Sequence, residues 1–226
     1  MLREFISMLF PDFCLACHEA LVRGEVMICT SCRYNLPQTD YHLHPENELL
    51  AKFSSKFLLK YTLAYLKFTK NGQVQRLMHA LKYNASPEVG EILGHWYGHI
   101  LKEHQFDQEF DGIVPVPLHP DKLKKRGYNQ SACFAKGLSE SLEIPVWENA
   151  LARSKVTESQ TRKGKLERWY NVKDVFVVPE PALVTDCRLL LVDDVLTTGS
   201  TLESCLDILH RYQSRELSIA TIAVAQ

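Results

Sequence analysis

The run Leu189-Leu190-Leu191-Val192-Asp193-Asp194-Val195-Leu196-Thr197-Thr198-Gly199-Ser200-Thr201 sets two adjacent carboxylates between an aliphatic stretch and a loop of hydroxyls and glycine. Such an unbroken apolar run, bounded by turn residues, predicts a strand covered on both faces. Asp193 and Asp194 then fall at its carboxyl end, where open α/β sheets place their ligands. The loop Thr197-Thr198-Gly199-Ser200-Thr201 can aim N–H groups and hydroxyls at an anion, at the positive end of the helix that follows. Ionised carboxylates only accept hydrogen bonds, so the pair suits the vicinal hydroxyls of a ribose while the loop suits its 5′-phosphate. Two neighbouring aspartates repel each other unless they have a partner, which separates this run from a plain strand–helix connection.

A second constellation lies near the front. Cys14-Leu-Ala-Cys17 and Cys29-Thr-Ser-Cys32 are two pairs of the same spacing, separated by a short stretch in which Gly24 can turn a hairpin. Each pair can present both thiolates to one ion, and two pairs complete a tetrahedral four-thiolate zinc site. A redox Cys-x-x-Cys is the alternative, but a redox pair needs no second pair. Four thiolates leave no open coordination position, so such a zinc holds structure. Binding supplies on the order of 10 kcal/mol toward ordering a small segment. His18, next to Cys17, reads as a solvent-facing loop residue, and Cys133, Cys187 and Cys205 as buried thiols without chemistry.

Basic residues form two further groups. Lys122, Lys124, Lys125 and Arg126 precede Gly127-Tyr128-Asn129-Gln130 at a helix entrance. Arg153, Lys155, Arg162, Lys163, Lys165 and Arg168, with Thr157, Ser159 and Gln160 between them, mark a long polar segment of the kind that is often functional. Solvated lysines explain Lys122 and Lys124 equally well.

The elements that must position these groups follow from periodicity. Strands are expected at Tyr61–Phe68, from Asp111 onward into the loop Pro117-Leu118-His119-Pro120, at Ile144–Trp147 as a strand or strand edge, at Val175–Val178 and at Leu217–Val224. Helices are expected over Gln73–Tyr83, from Pro87 to about His104, over Ala132–Leu142 and over Thr201–Tyr212. His95 and His99 can share one face of the second of these. Strands alternating with helices predict a parallel sheet. Residues 31 to about 60 read as a polar connector ending in a short helix. Leu2, Phe5, Ile6, Leu9 and Phe10 fall on one face of a short docking helix, interrupted by Glu4 and ended by Pro11, which argues against a signal peptide.

With 226 residues, 46% hydrophobic and 23% charged, the chain has room for one sizeable core plus a small module. Its formal net charge of −1 excludes a global nucleic-acid footprint, so contact with DNA or RNA needs a local patch. No apolar run approaches a membrane span. The odd cysteine count and the lack of a secretion signal point to the cytoplasm and away from a disulfide framework.

The aspartate-pair loop resembles the ribose-5-phosphate loop of the type I phosphoribosyltransferases, which use phosphoribosyl pyrophosphate (PRPP). Taken with the cysteine knuckle, Leu81-Lys82-Tyr83, Val114-Pro-Val-Pro-Leu-His-Pro120, Arg126-Gly-Tyr-Asn-Gln130, Arg153 with Thr157, Ser159 and Gln160, and Arg168 with Asn171-Val172, nearly the whole chain resembles the ComF family of competence-associated proteins. The resemblance implies an α/β fold with a phosphoribosyltransferase-like (Rossmann-like) parallel sheet over residues 46–226. It also implies an N-terminal helix and four-cysteine zinc knuckle over residues 1–45, and a link to DNA uptake and natural transformation.

Two functions then compete. As an enzyme, the protein would use Asp193 and Asp194 to hold the ribose hydroxyls and Thr197, Thr198, Gly199, Ser200 and Thr201 to cradle the 5′-phosphate. The turn Leu118-His119-Pro120 would contact a Mg²⁺-neutralised pyrophosphate, and the segment Arg153, Lys155, Thr157, Ser159, Gln160, Arg168 would close as a mobile lid. A nitrogen nucleophile attacking C1 would pass through an oxocarbenium-like transition state. As a binding module, it would keep the PRPP site and bind single-stranded DNA or other competence proteins. Lys122, Lys124, Lys125, Arg126, Lys163 and Lys165 would then follow phosphates, with Tyr128 or Trp169 stacking on bases.

Overall fold

The computed structural model describes residues 11–154 and 175–225. The expected helix over residues 2–10 lies outside them. So do Lys155, Thr157, Ser159, Gln160, Arg162, Lys163, Lys165, Arg168 and Trp169.

Among the described residues the chain runs α1 (Thr30–Asn35), α2 (Glu48–Phe53), β1 (Leu59–Phe68), α3 (Gln73–Tyr83), α4 (Glu88–Glu103), β2 (Gly112–Pro115), α5 (Pro120–Arg126), α6 (Gln130–Leu142), β3 (Ala152–Arg153), β4 (Phe176–Val177), β5 (Arg188–Leu196), α7 (Ser200–Arg211) and β6 (Glu216–Ala225). A four-stranded sheet takes the order β1-β6-β5-β2, and every pairing in it is parallel. The α/β architecture read from the sequence is therefore the observed one.

Parallel strands need cover on both faces, and β5 shows why its sequence is uniformly aliphatic. Leu190 and Val192 pack with Leu77, Leu93 and Phe134 of α3, α4 and α6. Leu189 and Leu191 pack with Phe53 of α2 and with Leu202 and Leu206 of α7. Each fully buried leucine contributes roughly 2 kcal/mol relative to exposure. α4 and α6 approach closely because Gly94 and Gly137 face each other's backbones. A Cβ at Gly94 would overlap the carbonyl of Phe134, and one at Gly137 that of Glu91. His95 and His99 share a face of α4, with their Nε2 atoms 3.1 Å apart.

Four expectations change. Ile144–Trp147 supplies only a single parallel bridge, Val146 to Ile113. Phe176–Val177 leaves the main sheet and pairs antiparallel with Ala152–Arg153. The basic turn before α6 is itself a helix, α5, with Pro120 in its first turn and left-handed Gly127 (φ +83°) at its end. Periodicity does not reveal α5, since Leu123 is its lone aliphatic residue beside four cations and it buries none of its side chains. Cys187 is half-buried, sitting where the chain enters β5. The polar connector also holds α1 and α2, the latter N-capped by the Asn47 side chain, which accepts from the N–H groups of Leu49 and Leu50.

The cysteine segment packs into the same core as the sheet: Cys14, Ala16, Ile28, Cys29 and Cys32 join Leu63, Tyr65 and Leu77. The Arg76 guanidinium of α3 donates to the carbonyl of Ala16. The backbone of Thr39 donates to the carbonyl of Tyr65, and Gln38 bridges Leu66, so residues just after α1 run along the free edge of β1.

Candidate functional site

The carboxyl ends of β1, β5 and β2 open on a cavity of about 470 Å³. Its walls include Phe68 at the end of β1, Asp193, Asp194 and Val195 at the end of β5, and Val116, Pro117 and Leu118 following β2. Register explains the juxtaposition. Pro115 pairs with Val192, and the N–H of Val116 donates to the Val192 carbonyl at 2.9 Å, which sets residues 116–118 beside the aspartates.

Asp193 is tied into the protein. Its Oδ1 accepts from the Ser131 hydroxyl at 2.9 Å and from the Asp194 N–H at 2.8 Å. Burial, and after it the charge of Asp194, push its carboxyl up to about 7, against the opposing pull of the Asp194 N–H, Ser131 and Lys82. Asp194 pairs with Lys82 Nζ at 2.9 Å, both side chains being less than a quarter exposed. The doublet's missing partner is thus a lysine at the end of α3, 112 positions earlier in the chain.

The loop after β5 turns at Gly199, whose φ of +87° is left-handed, and Gly199 N-caps α7. Thr197 and Thr201 line the cavity. Thr198 and Ser200 are exposed and their hydroxyls share a hydrogen bond at 3.2 Å. Lys52 of α2 donates from Nζ to the Thr197 carbonyl, which brings a cation to the loop. A Cβ on Gly199 would lie 3.0 Å from the Phe53 ring as well as straining the backbone. Gly199→Ala is therefore expected to lower stability by about 1–2 kcal/mol, read as a shift of the urea midpoint at constant slope.

Of the turn Leu118-His119-Pro120, Leu118 lines the cavity, whereas His119 and Pro120 begin α5. The His119 Nδ1 accepts from the Asp121 N–H at 3.2 Å, so that ring caps a helix, and Pro120 faces a neighbouring apolar hollow. Arg153 reaches the cavity wall from β3, donating from Nε to the Pro117 carbonyl at 3.0 Å and lying over the Phe176 ring. Among the basic residues, Lys122 and Arg126 line the cavity, Lys125 faces a smaller hollow next to it, and Lys124 is exposed. Tyr128 is half-buried, and its hydroxyl donates to the Leu81 carbonyl at 2.6 Å, leaving it part of a wall. Asn129 caps α6 by accepting from the Ser131 N–H and donates to the Val116 carbonyl at 3.0 Å, locking the helix entrance to the strand end.

Lys82, Ser131 and Lys52 were not foreseen as parts of the site. Lys82 stood in a recognisable tripeptide, yet its pairing with Asp194 depends on how α3 packs, which no local pattern encodes.

The four N-terminal cysteines meet at one point, all four Sγ atoms lying within 4.8 Å of one another. Cys17 and Cys29 are 3.8 Å apart between sulfurs. A tetrahedron with metal–sulfur bonds of about 2.3 Å has edges of about 3.8 Å. Backbone N–H groups of Ala16 and Cys29 point at the Cys14 sulfur, that of Glu19 at Cys17 and that of Cys32 at Cys29, while the Gln73 amide points at Cys32. Donors aimed at sulfur favour thiolates, so these residues fit a metal ion such as zinc.

Comparison with known proteins bears on the same segments. Residues 129–225, which include α6, β5, the aspartate pair, its loop and α7, match the family model described as "Phosphoribosyl transferase domain". Competence protein F of Haemophilus influenzae is 34% identical over 116 residues, 51% of each chain, so that match spans about half of the relative. DNA utilization protein YhgH of Escherichia coli is 28% identical over 219 residues, covering 89% of this chain and 92% of the relative. Competence protein ComFC of Bacillus subtilis is 24% identical over 200 residues, 87% of this chain and 78% of the relative.

Proposed function

Because the chain belongs to the ComF family of phosphoribosyltransferase-like proteins, we propose that its cavity binds PRPP together with Mg²⁺. The observation that carries this reading is the convergence of an adjacent carboxylate pair and a glycine–hydroxyl loop on one cavity at the carboxyl end of a parallel sheet. Asp193 and Asp194 accept from the ribose hydroxyls. Thr197–Thr201 and the start of α7 hold the 5′-phosphate, where the helix dipole and free N–H groups favour an anion. The diphosphate then lies toward Leu118 and toward Lys122, Arg126 and Arg153, whose cations oppose its charge; a bound Mg²⁺ would supply further neutralisation there. Lys82 gives up Asp194 as the sugar arrives, which frees a cation inside the cavity.

Displacement of pyrophosphate at C1 is the chemistry this arrangement favours. Two carboxylates beneath the ribose stabilise the positive charge that develops on the ring, an electrostatic contribution that grows toward the transition state. The names of the relatives, competence and DNA utilization, support a role in the handling of DNA. The cysteine cluster holds a structural zinc in this reading.

Calorimetric titration with PRPP and Mg²⁺ tests the proposal. One saturable site per chain is expected, with ribose 5-phosphate or pyrophosphate alone binding about tenfold or more weakly, since each forfeits one set of charged contacts. Equal affinity for PRPP and pyrophosphate would contradict the assignment of the ribose to the aspartates.

A further inference from the structure

Next to the proposed PRPP cavity lies a second hollow of about 300 Å³, walled by Lys82, Tyr83, Lys122, Lys125, Arg126 and Tyr128. Among the described residues no carboxylate lines it. Its four cations are not equally committed. Lys82 is paired with Asp194, and Arg126 donates to Gln130 Oε1 at 2.8 Å while lying over the Tyr83 ring. Lys122 and Lys125 have no acidic partner among the described residues. Two point-charge ammonium groups beside a guanidinium already turned toward Gln130 and Tyr83 suit a compact dianion better than a planar carboxylate, which is best gripped by an arginine fork aimed straight at it. At the rim the Tyr83 ring is 63% exposed, with the His79 ring 4.9 Å away and tilted 44° to it, so Tyr83 itself offers an accessible aromatic surface. Tyr128 is fixed by its bond to the Leu81 carbonyl, so the hollow has a rigid floor.

We infer that this hollow is a second anion subsite, which holds the phosphate of a nucleotide-class ligand beside the cavity assigned to PRPP. The phosphate sits between Lys122 and Lys125, and the base stacks on Tyr83, because base–aromatic stacking tolerates any base. Lys122 and Arg126 line both compartments, which places the second ligand next to the diphosphate end of the first. Lys125 lines only the hollow. The anion subsite stands on the hollow's own residues, while its pairing with PRPP rests on the proposed function.

Thymidine 5′-monophosphate is the probe, titrated into the full chain with and without PRPP and Mg²⁺, with thymidine as the uncharged control. The monophosphate is expected to bind at least about tenfold more tightly than thymidine, to bind whether or not PRPP is present, and to weaken about tenfold in Lys125→Ala. PRPP affinity in that folded variant should stay within about twofold, since the exposed lysine lies outside the first cavity. Unchanged monophosphate affinity in Lys125→Ala, or no advantage over thymidine, overturns the subsite. Mutually exclusive binding of the two ligands overturns the two-ligand arrangement and makes the hollow an extension of the diphosphate site. Lys125-dependent binding of the monophosphate by a chain that does not take up PRPP would instead remove the PRPP reading and leave the subsite standing.

Discussion

Replacing Asp193 and Asp194 together with asparagine is expected to weaken PRPP binding by about two orders of magnitude, because two charge-assisted hydrogen bonds to the ribose are lost together. Asparagine keeps the shape and an acceptor oxygen, so the Ser131 hydroxyl and the residue-194 N–H keep their partner and the fold survives. The single change Asp193→Asn has a second effect, on stability. Burial and the neighbouring Asp194 hold the native carboxyl's proton up to about 7, whereas in the unfolded chain an aspartate loses it near 4. Between those values the native state binds more protons than the unfolded one, so stability falls as pH rises through the window. Asparagine removes that dependence. Asp193→Asn should therefore match the parent near pH 4 and exceed it at pH 8 by about 1–2 kcal/mol, the partial exposure of the site tempering the effect. Calorimetric affinities and melting curves at the two pH values check both. An unaltered PRPP affinity, or a variant less stable than the parent at pH 8, would reject the description of the doublet.

Removing the metal is expected to be the more drastic perturbation of the fold. A four-thiolate zinc site contributes on the order of 10 kcal/mol of binding free energy that a small segment cannot replace. Here the segment is not peripheral, since Cys14, Cys29 and Cys32 are buried among the residues that cover one face of the sheet. Loss of the ion would free Ala16 and Cys32 from their contacts with Arg76 and Gln73 of α3, the helix that carries Lys82 into the cavity. Chelation, or Cys32→Ser, should lower the melting temperature by about 10 °C or more and weaken PRPP binding with it. Emission spectroscopy should find one zinc per chain, and a reductant without chelator should leave melting unchanged. A chelated chain that melts where the untreated one does would refute a structural metal and favour a redox pair.

What the sequence revealed was local. β5 and its loop were readable because an aliphatic run buried on both faces, a carboxylate doublet and a left-handed glycine follow one another without a break. The knuckle was readable because ligand spacing is itself a geometric statement. α3 and α4 announced themselves through apolar residues at helical spacing. What stayed hidden depends on distant packing. Lys82 and Ser131 meet the aspartates from helices 112 and 62 positions away, and Lys52 reaches Thr197 across 145. Val175–Val178 has the composition of a core strand, yet its pairing with Ala152–Arg153 takes it out of the sheet, a choice that β propensity does not encode.

The most direct test is a crystal structure of the full chain with PRPP and Mg²⁺. Ribose hydroxyl oxygens should lie within hydrogen-bonding distance of the Asp193 and Asp194 carboxylates, with the 5′-phosphate against residues 197–201 and the Lys82 ammonium withdrawn from Asp194. Ligand density confined to other surfaces, with Lys82 still paired to Asp194 at saturating PRPP, would contradict the account.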